Sequence, residues 1–588
     1  MNTYQVIKRD GTKAPFDIHK ITAALTKAFE ACRKPCTVDV IEMIALRVTG
    51  DFTDKVKDNA IGVEDIQDSA EKVLSAAGYA DVAKAYILYR KQRENIRNIK
   101  STTLDYKKIV DNYLEAKDEA SGVGTYSIGG LILSNSGAIT ANYWLSEVYD
   151  EEIAVAHRNG DIYIHGLGML TGDSTIWSLE KLIHAGLGGV EGLVSSGPAK
   201  HLSTLCIQMA DFLGVMQNEW AGMQSFDHFD TYLAPFIKQD ALTFKEVKQA
   251  MQAFVYEANV PVRRGVQAPA SHVILDRMPP ADMKEQHAVI GGVTTDILYG
   301  DCGEEMEMID RALCEVLMEG DANGVKFPFP IPVVHIHDGM NAKTEDLLYE
   351  MSARTGIPCY LHESRSLDVG SVGIVTIDLP RIAFLSKNEQ DMFERLDRMV
   401  DLAARCLKTK RTVLEKLLGS GLYPYTGKYL GTLHDHNSSI GIMGLAETCR
   451  NASWIQSDLQ TLEGKAFACR ILQHIRNELE EYERRYNDHY CLVPEEDLVV
   501  CQHIAIRDAD KYPGILMTAG TYTPGSRLAS AVDFFTLLQH ESQMQELYDD
   551  APVFEVRIPE RLTSFAVHVL VHKIFCTTAI HKCRLIGL

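Results

Sequence analysis

Residues 162–179 read IYIHGLGMLTGDSTIWSL. Ile162-Tyr163-Ile164 is a short apolar strand, and it follows a helix rich in Glu and Ala, Glu147–Arg158. The same alternation continues outward. Val333-Val334-His335-Ile336 follows the Pro-rich Phe327–Pro332, and Val372–Leu379 (VGIVTIDL) is a further strand. Helical patterns occupy roughly 242–258, 304–319, 390–418 and 461–486. Helices interleaved with buried strands imply an α/β architecture closed into a barrel. No short-period repeat or low-complexity tract interrupts the pattern.

The chain has 588 residues, enough for a large core and more than one domain. It carries 59 Lys and Arg against 80 Asp and Glu, a formal net charge of −21. That balance argues against a nucleic-acid surface, which needs a net cationic face. It leaves room for a small anionic ligand in a local basic pocket. No apolar run approaches the roughly 20 residues of a membrane helix. The opening MNTYQVIKRDG has no apolar signal core. The 13 cysteines are scattered, with no C-x-x-C pair. Buried, reduced thiols and a cytoplasmic location are expected.

Residues 1–95 form a separate unit. Tyr4–Lys8 extends as a strand, Arg9-Asp10-Gly11-Thr12 turns, and Asp17 caps a helix from Ile18 with Ile21, Leu25 and Phe29 on one face. Further helices cover about 64–76 and Ala80 to about Ile96, separated by Gly78, and a polar linker runs from Arg97 to Asp105. Lys8 and Arg9 stand beside a tight turn, and Lys20 begins the next helix. Cations beside a helix N-terminus suit a polyphosphate; a solvated basic hairpin is the alternative for these residues alone.

VIKRDGTKAPFDIHKI, followed by YADVAKAYILYRKQRE, resembles the ATP-cone, a regulatory module of many ribonucleotide reductases. The resemblance implies that Val6, Ile7, Lys8, Arg9 and Lys20 line an ATP or dATP pocket, with Arg90 or Lys91 added from the last helix. From 105 onward the chain resembles the anaerobic, glycyl-radical ribonucleoside-triphosphate reductases. The matching stretches include ANYWLSEVYDEEIAVAHRNGDIYIH (141–165), MQNEWAGMQSFDHFDTYLAPF (216–236), YGDCGEEMEMIDRALCEVLMEGDANGVKFPFPIP (299–332), TIDLPR (376–381) and YPYTGKYLGTLHDHNSSIGIMG (423–444). This implies a ten-stranded α/β barrel over 105–588, a homodimer, and as partners an iron–sulfur activase or a related reductase chain. In the family, a radical passes to a cysteine at the tip of a finger loop inside the barrel. A second cysteine on an early strand helps reduce the substrate.

The chain departs from that pattern on the chemistry. Ser174 stands where the family carries the strand cysteine, and a hydroxyl forms neither a thiyl radical nor a disulfide. The family's His-Asp pair reads His165-Gly166, so an acid is missing. Gly356-Ile357-Pro358-Cys359 reaches Val375-Thr376-Ile377-Asp378 through YLHESRSLDVGSVGI, which is short and lacks cysteine; Cys359 is assigned to core packing. Asp378 replaces an Asn and cannot donate a hydrogen bond when ionised. A C-x-x-C zinc knuckle and a glycyl-radical motif, expected toward the end, are not found before Leu588.

Other signals are weaker. Cys576, His581 and Cys583 lack metal-site spacing. His335, His337 and Asp338 lie on one strand. Gly421–Lys428 has the wrong spacing for a phosphate loop and reads as a turn. Gln217–Gln224 and Asp230 fit the region of the family's second effector site. The expectation is a reductase-family protein that takes ATP or dATP as effector, holds no metal or organic cofactor, and does not reduce ribonucleotides alone. The alternative is an active or split-chain reductase acting in dNTP synthesis.

Overall fold

The computed structural model describes residues 5–7, 13–32, 34, 36–56, 60–86, 107–115, 126–263, 265–336, 342–362, 369–529, 532–558 and 562–587. The chain divides into two compact units, Met1–Ala116 and Lys117–Leu588. Lys8, Arg9, Arg90, Lys91, His337, Asp338 and the stretch 97–105 lie outside the described residues.

In the first unit, β1 (Gln5–Ile7) pairs antiparallel with β2 (Lys13–Pro15) and parallel with β3 (Ala60–Gly62). Helices α1 (Ile18–Ala31), α2 (Val38–Phe52) and α3 (Val63–Ala76) pack with it, and a further helix covers 80–86. Asp17 caps α1 by accepting the His19 N–H at 3.0 Å. Leu25, Ile44, Val48, Phe52, Leu74 and Val82 are completely enclosed in a core of their own. Gly78 ends the run after α3 at φ +84°, a left-handed position that glycine takes without steric cost.

The second unit is built on one ladder of eleven strands. They are β4 (Ile162–Ile164), β5 (Ser174–Trp177), β6 (Gln224–Phe226), β7 (Ser271–Leu275), β10 (Ile331–Ile336), β11 (Cys359–His362), β12 (Gly370–Asp378), β13 (Asn437–Met443), β14 (His489–Pro494), β15 (Phe554–Ile558) and β16 (Lys582–Gly587). A separate hairpin joins β8 (His287–Ile290) to β9 (Val293–Leu298). β5, β6, β7, β10 and β11 are parallel neighbours. β12, β13 and β14 form a second parallel set, antiparallel to β5; β16 and β15 run antiparallel to β11.

β4 and β5 pair with different stretches of the same edge of β12. Eleven strands therefore occupy ten positions. The ends of the ladder meet where the Asp549 N–H donates to the Leu492 carbonyl at 3.1 Å and the Asp549 carboxylate accepts the Leu492 N–H at 2.8 Å. The result is an α/β barrel of two opposed halves, as the alternation of helices and buried strands leads one to expect.

Helices cover the outside. The helix Glu389–Gly419 begins at Asn388, whose side chain accepts the Asp391 N–H at 2.9 Å. Met392, Leu396, Val400, Ala403, Leu407 and Leu414 keep one apolar face toward the barrel and are all completely buried. Fully burying a side chain of the Leu or Val class contributes about 1.5–3 kcal/mol each, so this stripe alone anchors the helix firmly. No helix among the described residues is long and apolar enough to cross a membrane.

Candidate functional site

Two cavities carry the chemistry, one in each unit. In the first unit a cavity of about 260 Å³ is lined by Val6, Lys20, Ile21, Gln67, Tyr86 and neighbouring side chains. Val6 arrives on β1 and Lys20 on the first turn of α1, so two of the sequence-predicted residues meet here. The Ile7 side chain, Lys8, Arg9, Arg90 and Lys91 fall outside the described residues. Gln67, on α3, was not foreseen. Its Oε1 is buried without a hydrogen-bond partner, an open acceptor that a ligand donor satisfies. A polar residue at a helical position gives no such signal in sequence.

In the barrel a cavity of about 380 Å³ opens at the centre. Ser174, Ser225, His272, Asn437, Ser439 and Lys582 project into it from five strands. Burial, helped by Lys582, pushes His272 down to about 4, so its imidazole is neutral near neutral pH. Lys582 is ion-paired to Asp550, and Glu496 to Arg527 at 3.1 Å.

Of the three degenerate positions, Ser174 lines this cavity, in register with Ser371 of β12. His165 and Asp378 are not among the lining residues, and both expectations attached to them need correction. The acid missing beside His165 in sequence is supplied in space. His165 Nε2 lies 2.8 Å from Glu495 Oε2 and 3.0 Å from Thr376 Oγ1, and Thr376 donates to Glu495 at 2.6 Å. Burial acts to raise the Glu495 carboxyl, but His165, Thr376 and the Asp497 N–H outweigh it and hold it below the usual range.

Asp378 is held by neighbouring charged side chains and does not line this cavity. It ends β12, caps the following helix by accepting the Arg381 N–H at 3.2 Å, and sits 3.1 Å from Arg381 Nε. Arg381 also binds Asp161 at 3.0 Å and, through Nε, Asp508 at 2.8 Å. Burial and the neighbouring Asp508 raise the Asp378 carboxyl well above its ordinary range. Its role is in a buried ion cluster.

Cys359 packs in an apolar cluster, as its assignment to core packing leads one to expect. Leu361 is in register with Lys582, whose side chain lines the cavity, and Cys359 shares the Leu361 face two residues away. It packs with Ile176, Ile274, Val333 and Leu361 on the barrel interior. Burial pushes its thiol up to about 11, against the pull of Lys582 and Arg584. A second interior thiol, Cys491, is in register with the cavity residue Ser439, its sulfur 3.2 Å from the Ser439 hydroxyl. β11 and β12 are joined by residues 363–369, of which 363–368 are outside the described set.

Other sequence signals resolve as structure. Cys576 is exposed while Cys583 is buried on β16, and the two do not form a metal-ligating group with His581 among the described residues. Lys428 donates to the Gly188 carbonyl, and the expected turn at Gly421–Lys428 is corrected, since Pro424–Tyr429 forms a short helix. Gln217, Gln224 and Asp230 are buried within the chain, which closes those side chains to an effector.

A family model for anaerobic ribonucleoside-triphosphate reductase matches residues 119–584, and one for the ATP cone domain matches residues 4–95. The chain belongs to the anaerobic ribonucleoside-triphosphate reductase family. It is 23% identical over 471 residues to the anaerobic ribonucleoside-triphosphate reductase of Haemophilus influenzae, covering 71% of this chain and 64% of the relative. The first unit is 45% identical over 98 residues to the Chlamydia pneumoniae ribonucleoside-diphosphate reductase subunit alpha, covering 16% of this chain and 9% of that protein. The anaerobic ribonucleotide reductase of Thermotoga maritima, solved with dATP bound in the specificity site, shares the barrel at a TM-score of 0.68 and 18% identity, over 83% of this chain and 91% of that one. The chain thus spans a little under two thirds of the length of its curated anaerobic reductase relatives.

Proposed function

We propose that this family member senses ATP or dATP through its N-terminal cone and does not reduce ribonucleotides by itself. The observation that supports nucleotide binding is the cone cavity, where Lys20 offers a cation for phosphate and Gln67 Oε1 offers an unmet acceptor for an exocyclic amine. The nucleotide-bound state of a relative, dATP and CTP in the Thermotoga maritima enzyme, supports the ligand class. Absence of autonomous reduction is inferred from Ser174 on the cavity wall and from the 363–369 connection, whose sequence is short and carries no cysteine. A cytoplasmic homodimer that meets an iron–sulfur activase or a related reductase chain completes the proposal.

Isothermal calorimetry with ATP and dATP tests the first half: one saturable site in the cone is expected, and no heat with either nucleotide sinks it. Anaerobic assay with the activase tests the second: no deoxynucleotide is expected from the chain alone.

A second reading rests on the interior thiols. Cys359 and Cys491 face the barrel interior, so the barrel is not free of sulfur. An active or split-chain reductase would use one of them in a role that Ser174 cannot fill. Turnover in the same assay, lost in Cys359→Ser or Cys491→Ser, would favour it.

A further inference from the structure

At one end of the barrel, outside both cavities, His434, Asp435 and His489 are exposed, and their ligating atoms all lie within 4.8 Å of one another. The two imidazole rings are 5.8 Å apart between centroids and inclined at 61°. We infer that these three side chains form a binding site for a divalent transition-metal ion of the zinc class. Two imidazoles and a carboxylate are a donor set that Zn²⁺ accepts, at bond lengths of about 2.0–2.2 Å, with water completing the shell.

What lifts this group above a chance surface cluster is how firmly its backbone is fixed. His434 and Asp435 sit in the turn leading into β13, and that turn is clamped from below by Arg411. The Arg411 side chain is completely buried; it donates to the Leu433 carbonyl at 2.8 Å on one flank and to the His436 carbonyl on the other. The His434 N–H is tied to Thr432 Oγ1 at 3.1 Å. His489 opens β14 and is in register with Asn437 of β13. The ligands therefore come from two adjoining, immobilised backbones, and small side-chain rotations close the remaining gap. Little ordering entropy opposes binding when the donors are already gathered.

The location gives the ion a task. β14 ends the strand ladder, with β13 on one side and the Asp549 contacts to Leu492 on the other. An ion shared between the β13 turn and the first residue of β14 fastens this seam strand. Binding of the folded form alone stabilises it by mass action.

The test uses the full chain after chelator treatment. Titration with zinc chloride in a calorimeter is expected to give one site and a raised thermal midpoint. Cobalt(II) serves as the spectroscopic probe, because the chain has 13 free cysteines that compete for soft metals. Visible bands without a thiolate charge-transfer band are expected for nitrogen and oxygen ligands. His434→Gln and His489→Gln are each expected to weaken binding at least about tenfold, since even supporting groups around a metal are worth about 10–100-fold. Both side chains are exposed, so the metal-free melting of these variants should match the parent. No zinc binding, a thiolate band, or unchanged binding in the double variant would each overturn the site. Binding that leaves the thermal midpoint unmoved would overturn the seam-fastening role.

Discussion

Glu495 shows how single residues here take their meaning from a distant strand. It is 5% exposed, and His165 and Thr376 both rest on one of its oxygens. Replacing it by Gln keeps the shape and removes the charge. We expect Glu495→Gln to cost about 1.5–3 kcal/mol at neutral pH, the range for a hydrogen bond to a charged group. Its folded-state pKa is depressed, so its contribution is complete above the unfolded value of about 4.3 and fades as pH falls through the folded one. Urea midpoints of parent and variant should therefore converge toward acid pH; a gap that stays constant would show that the carboxylate charge is not the source. In the cone, Gln67→Leu tests the orphaned acceptor. Nucleotide affinity should fall by about tenfold, equivalent to roughly 1.4 kcal/mol for one lost hydrogen bond, with the melting temperature held or raised. Unchanged affinity in calorimetry would remove Gln67 from the site.

At the scale of elements, β12 and β13 depend on a close approach that admits no side chain. Gly441 lies opposite Thr376, and a Cβ there would come within 2.5 Å of Thr376 Oγ1 and 3.4 Å of Thr376 Cα. Gly441→Ala is expected to lose about 1–3 kcal/mol by overpacking and to push Thr376 off Glu495. Non-additivity of Gly441→Ala with Glu495→Gln in a double-mutant cycle would report that coupling; strict additivity would refute it. These details mark where the sequence stops being legible. The apolar runs at 162–164, 333–336 and 372–379 each fell on a strand, and the helices at 242–258, 304–319, 390–418 and 461–486 agreed with the observed ends to within two residues, because local periodicity encodes them. Register is not local. That Glu495 would meet His165 and that Cys359 would face the barrel interior follow from strand pairing over hundreds of residues, whereas the turn of Asp378 toward Arg381 is a local cap three residues long. A sequence scan reads an acid as missing after His165 because it looks only at the next residue.

At the scale of the whole molecule, each unit carries its own closed core: Leu25, Ile44, Phe52 and Leu74 in one, and the larger barrel clusters in the other. A unit with its own core melts as its own cooperative transition. Differential scanning calorimetry of the full chain is therefore expected to show two endotherms, the smaller assigned to the cone by its area, since unfolding enthalpy scales with residue number. ATP at about 100 times its Kd should stabilise the smaller transition by about 2.7 kcal/mol. A ligand that binds one folded unit moves only that unit's equilibrium unless the two are energetically linked, and linkage is reciprocal. If ATP also raises the larger endotherm, the cone communicates with the barrel and the regulatory reading gains its output. If ATP moves neither, the cone has lost its nucleotide. Adding zinc separates the two causes, because its site lies on β13 and β14: it should raise the larger transition alone, and His489→Gln should abolish that rise while leaving the ATP response of the smaller one intact.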